Sequence, residues 1–316
     1  MGQDIVLKSK YLVFLYRKSR LNWGSTTLRA QQLAGLVAPH LPGVKVSVSA
    51  FSRREFVQNL SARLVPQGAT VFVTKDAARV MQASTVDLLH RRSCHVCLDV
   101  VDTLPDELPG PELGADVLVS PSLNGIGILQ SYVAARFPGP RPLVLPILHN
   151  ADIRLDGCKL MPQDRARTVY WGAMKNAVTS PGIAAKVDFI DGSDGGNFGE
   201  TLGRILHYNV HYAVRPEGDR FRIKPFTKGV NAAVLGAIVL MDRMVPDAVE
   251  FLGDDYPFML NAPDVACVLD GLARLEDSFG GPDWALAQAR CAEMAQRVAP
   301  EALAEQFRQM MMALGG

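Results

Sequence analysis

The residues best suited to chemistry in this chain are cations set beside glycines and small side chains. The stretch from Lys224 to Leu260 opens on Lys224 and Lys228 among turn formers, then runs through a short apolar helix-like segment containing Asn231. It breaks at Gly236 and resumes as a strand-like run from Ala237 to Met241. A cationic loop, a helix whose free N-terminal amides face an anion, and a following buried strand are the parts of a phosphate or nucleotide site at the edge of a parallel sheet. Thr227 and Lys228 open that helix. Gly172 and Lys175, at the end of the run TVYWGA, form a second turn from which a cation can reach the same anion.

Three other groups sit where strands end. Asp99 and Asp102 close the run LDVVD and offer carboxylates able to take a proton from an acceptor hydroxyl; each can equally cap its loop. His149 ends the run LVLPILHN, either as a catalytic base or as a hydrogen-bonding residue between domains. The loop RKSRLNWGSTT carries Arg20, Asn22, Gly24 and Ser25 just before a helix start, an arrangement suited to an anionic or hydroxyl-rich ligand and also to an ordinary turn.

The elements that must position these residues alternate. Continuous apolar runs begin near Tyr11, Lys45, Ala69, His95, Asp116 and Leu143 and are separated by helical spacing such as Phe56, Leu60 and Leu64. Strands apolar on both faces, divided by helices, predict a parallel sheet covered on each side. A polar, Pro- and Gly-bearing stretch from Ala151 to Arg167 reads as a linker. Beyond it the alternation repeats from Thr168, and helices near 263–275, 283–298 and 300–314 close the chain. The expected architecture is α/β, with two Rossmann-like doubly wound domains, 1–155 and 156–316, and a cleft at the carboxyl ends of their sheets.

Composition narrows the function classes. With 316 residues, 48% hydrophobic and 21% charged, the chain can bury two cores, and a net charge of +1 argues against nucleic acid as the main partner. The apolar run Tyr11–Tyr16 is too short to span a bilayer or to serve as a signal-peptide core, so a cytoplasmic protein without an integral membrane segment is expected. Five scattered cysteines give no disulfide framework, and Cys94 and Cys97 read as small buried strand residues. Asp254 and Asp255 are adjacent in a turn, so no metal site is expected. The absence of a GxGxxG fingerprint weighs against nicotinamide or flavin, and no cofactor is expected.

Two α/β halves, a glycine ending the first strand of the second half, and a basic loop leading to a small-residue helix and strand together resemble the GT-B glycosyltransferases. In the glycogen-synthase-like branch, two glutamates separated by seven residues flank the donor site. The second lies at a helix start, is followed five residues later by Gly, and is expected to bind the donor ribose. Here Asn231 stands at that second position with Gly236 five residues on, and Ile223 stands where the first acid would be. The resemblance implies a metal-independent glycosyltransferase. The second half would hold a nucleotide-sugar donor through Gly172, Lys175, Lys224, Thr227, Lys228 and Asn231. The first half would hold a glycan or small-molecule acceptor. With the acids replaced, a non-catalytic nucleotide- or sugar-binding protein and a nucleotide-sugar epimerase stand as alternatives.

Overall fold

The structure, a computed structural model, describes residues 7–20, 26–102, 107, 114–139, 142–192, 198–216, 218 and 224–315, apart from the side chains of Arg20 and Phe198. The chain divides into two compact units, one comprising Met1–Asn150 with Ala299–Gly316 and the other Ala151–Val298.

The first unit is built on six parallel strands: β1 (Tyr11–Arg17), β2 (Lys45–Phe51), β3 (Thr70–Val73), β4 (His95–Asp99), β5 (Val117–Ser120) and β6 (Leu143–Pro146). Their order is β2-β1-β3-β4-β5-β6, so successive connections leave in opposite directions on either side of the β1/β3 pair. Strands β3, β4 and β5 are buried almost throughout, as their unbroken apolar runs require of a sheet covered on both faces. Two helices follow β3, Lys75–Ala78 and Ala83–Arg91, interrupted at Arg79–Gln82.

Chain order alone puts the last helix, Pro300–Gly315, in the second half, yet it packs with the first unit. Phe307 meets Phe14 of β1 and Phe72 of β3 with ring centroids 5.5 and 5.3 Å away, and Phe14 and Phe72 lie 5.0 Å apart. Such an aromatic triad adds directional contacts to the large area it buries.

The second unit holds β7 (Thr168–Gly172), β8 (Val187–Asp191), β9 (Val210–Tyr212), β10 (Ile238–Asp242) and β11 (Met259–Leu260), all parallel, in the order β11-β10-β9-β7-β8. The chain steps outward from β7 to β8 and then returns across it to β9, which makes the carboxyl ends of β7 and β9 the topological switch point where open α/β sheets bind ligands. The helix Thr227–Leu235 stops at Gly236, whose φ of 78° is the left-handed conformation glycine adopts at no steric cost, and β10 begins two residues later. Among the described residues no helix is long and apolar enough to cross a membrane.

Candidate functional site

In the second unit the switch point carries a cationic centre. Lys228, in the first turn of the Thr227–Leu235 helix, lays its ammonium 4.1 Å from the centroid of Tyr170 and 5.7 Å from that of Trp171, both on β7. It donates a hydrogen bond to the Trp171 carbonyl. No carboxylate pairs with it among the described residues. Burial, and then the charges of Arg215 and Lys224, push the Lys228 amine from 10.5 down to about 7. Arg215, three residues beyond β9, is buried, and its backbone N–H donates to the carboxylate of Asp242 at the end of β10. Asp242 also accepts from the Met244 amide at 3.0 Å, and its pKa is itself raised by burial.

The helix start supports the same charge preference. The N-cap Phe226 offers no side-chain cap to the Thr227–Leu235 helix and no acid stands in its first turn, so among the described residues no acid of the helix itself offsets its positive end. Lys228 feels the charges of Arg215 and Lys224, and Arg215 meets the buried Asp242, at the place where a parallel sheet binds ligands; a cluster of cations there favours an anion such as phosphate. Next to this centre His211 of β9 is buried, and neither ring nitrogen has a partner among the described residues. Burial, and then the charge of Lys228, lower it to about 3, so it is neutral at physiological pH.

Of the expected donor residues, Gly172, Lys224, Thr227 and Lys228 belong to this region, and Lys175 is exposed in the turn just past β7. The Asn231 side chain is buried and its Oδ1 accepts the Asp152 backbone N–H at 2.9 Å, so it ties the helix to the entering chain. Arg215 and His211 went unnoticed in the sequence. Arg215 follows an apolar strand run, and only the sheet order brings it to the switch point.

In the first unit Asp99, Asp102 and His149 gather at the carboxyl edge of the sheet around a residue with no sequence signal of its own, Arg29. Wholly buried, Arg29 donates from Nε and Nη2 to the two oxygens of Asp99 at 3.1 and 2.7 Å, and to the carbonyls of Leu148 and Ile147 at 2.8 and 2.9 Å. Burial raises the Asp99 carboxyl while Arg29 pulls it down. Asp99, expected as a base, is the buried partner of an arginine that pins the segment before His149.

Asp102 and His149 lie close enough to this pair to feel its charges. Asp102 adopts a φ of 50°, uncommon for a residue other than glycine; its Oδ2 lies 3.5 Å from Lys75 Nζ, and its Oδ1 has no partner among the described residues. His149 shares a 2.9 Å hydrogen bond between Nδ1 and the Asn150 carbonyl. A carbonyl can only accept, so Nδ1 carries the proton and Nε2 holds the lone pair. Burial, and then the Arg29 charge, lower His149 to about 4, with Asp102 acting in the opposite direction. Asn22, Gly24 and Ser25 lie outside the described residues, as does the Arg20 side chain.

Comparison with solved structures gives the fold a name. A glycosyltransferase from Rickettsia africae ESF-5 superposes with a TM-score of 0.65 at 8% identity, covering 97% of this chain and 99% of that one. Anabaena HepE in complex with UDP and glucose matches at 0.61 and 13% identity over 96% of this chain and all of its own. Sucrose-phosphate synthase from Thermosynechococcus elongatus matches at 0.57 and 12% identity over 97% and 99%. The chain therefore has the GT-B fold, two Rossmann-like α/β units with parallel sheets. No protein-family model matches the sequence, and no curated protein matches it.

Proposed function

We propose that the chain is a glycosyltransferase that moves a sugar from a nucleotide-sugar donor to an acceptor, with the donor on the second unit and the acceptor on the first. The observation that carries this reading is Lys228, a half-buried amine with no carboxylate partner among the described residues, at the β7/β9 switch point and close to Arg215 and Lys224. When the bond from the anomeric carbon to the donor diphosphate breaks, negative charge grows on the leaving oxygen. Lys228, Lys224, Arg215 and the uncapped helix amides stabilise it in a weakly solvated setting and supply the charge a divalent cation would otherwise bring.

On the first unit His149, neutral with its lone pair on Nε2, takes the acceptor hydroxyl proton, and Asp102 beside it favours the protonated imidazole that results. Arg29 and Asp99 position the His149 segment and do not touch substrate. The UDP and glucose complex of HepE supports a nucleoside diphosphate as the donor's leaving group. A second reading, a nucleotide-binding protein without turnover, is favoured by Asn231, which stands where an acid binds ribose in the resembled branch and is occupied by Asp152.

Thermal shift with nucleoside diphosphates, followed by an assay for diphosphate released from nucleotide sugars, separates the two. Stabilisation with release supports transfer, and stabilisation without release under any donor and acceptor supports the binder. No stabilisation by any nucleotide sinks both.

A further inference from the structure

The helix Glu55–Leu64 in the first unit is turned inside out. Its polar side chains hold it to the protein. Gln58 donates to the Val80 carbonyl at 2.6 Å and accepts from the Gln82 amide at 3.0 Å and the Thr85 hydroxyl at 3.2 Å. Glu55 accepts from Ser84 at 2.6 Å, and Asn59 from Thr85 at 2.9 Å. Ala62 packs into the core beside Gln58, but the large apolar side chains point away, with Phe56 80% exposed, Leu64 78% and Leu60 51%. Residues four apart lie on one face of a helix, so these three form one stripe, with Val57 at its margin.

The stripe is basic at both ends. Arg53 and Arg54 precede the helix and Arg63 lies beside Leu64; all three are exposed, and none pairs with a carboxylate among the described residues. The one acid of the helix, Glu55, is turned toward Ser84.

We infer that this face docks the protein in plane on an anionic lipid surface, inserting Phe56, Leu60 and Leu64 at the headgroup boundary while the three arginines meet lipid phosphates. An exposed apolar stripe with arginines at its ends is the chemistry of an interfacial helix. The patch is a few side chains on a helix of ten residues, roughly 15 Å long. That is too little for the roughly 800 Å² per partner of a stable protein interface, whereas a lipid surface takes a short apolar stripe together with its flanking cations. The inference stands apart from the sugar-transfer reading and uses none of its residues.

The test is co-sedimentation of the full-length protein with vesicles of pure phosphatidylcholine and with vesicles containing phosphatidylglycerol, beside the variants F56Q/L60Q/L64Q and R53Q/R54Q/R63Q. Wild type is expected to bind the anionic vesicles, with salt weakening the attachment; the apolar variant should lose it, and the arginine variant should lose about fivefold per arginine. The single variant L64Q, at the last helical residue, gives the same comparison if the triple variant unfolds. Absence of wild-type binding overturns the inference, as does equal binding by a folded apolar variant. So does a wild-type dimer in sedimentation velocity that becomes monomeric in L64Q, which would assign the stripe to a second copy of the chain.

Discussion

The Lys228 ammonium stands 2.8 Å from the point where a β-carbon on Gly172 would lie, and Gly172 holds a φ of 135°. The cation therefore occupies room that only glycine leaves at the end of β7. Gly172→Ala should strain the backbone, displace the amine and weaken nucleoside diphosphate binding about tenfold or more, with a smaller loss of thermal stability. Calorimetric titration beside a melting curve checks both; unaltered affinity would separate Gly172 from the site.

Binding should also move a proton. The Lys228 amine titrates near 7 in the free protein against 10.5 ordinarily, so above about pH 7 it is largely neutral, and an anion restores its charge. Nucleoside diphosphate affinity should hold steady below that pH and fall by up to about tenfold per unit above it. Calorimetry in buffers of different ionisation enthalpy should show net proton uptake at pH 8, and proton release there would contradict the assignment.

The buried pair in the first unit predicts a loss of stability. Asp99→Asn leaves the Arg29 charge uncompensated in the interior and should cost about 3–5 kcal/mol in denaturant unfolding. A variant that keeps its stability but loses turnover would return Asp99 to the role of base.

Acid should weaken the fold through its buried histidines. The unfolded chain takes up a proton near 6.5, whereas folded His211 does so only near 3 and His149 near 4. Their contribution is intact above 6.5 and is lost as pH falls toward those values, by about 1.4 kcal/mol per unit for each group. His211→Leu removes one ring and two nitrogens that have no partner among the described residues, so it should flatten the decline of melting temperature below pH 6.5. A decline as steep as wild type would show that His211 is not the group responsible.

Much of this architecture is visible in the residues themselves. Unbroken apolar runs mark the strands, and Gly236 marks the end of the helix before β10, because those preferences are local. Whatever depends on distant partners is not visible. Arg29 reads as an ordinary helix residue until Asp99, 70 positions away, closes on it. Asn231 gives no sign in the sequence that its oxygen holds the amide of Asp152, 79 positions away. Phe56, Leu60 and Leu64 have the spacing of a buried face, but spacing fixes only that they share a side, and here Gln58 takes the side that packs. The cation cluster needed the order β9 beside β7, which no stretch of sequence encodes alone.

The most direct test of the central claim is calorimetric titration of UDP into wild type and Lys228→Met, both shown folded by their melting curves. A charge-assisted contact contributes about 1.5–3 kcal/mol, so the substitution should weaken binding roughly ten- to a hundredfold. Equal affinity in the two proteins would contradict an anion site built on Lys228.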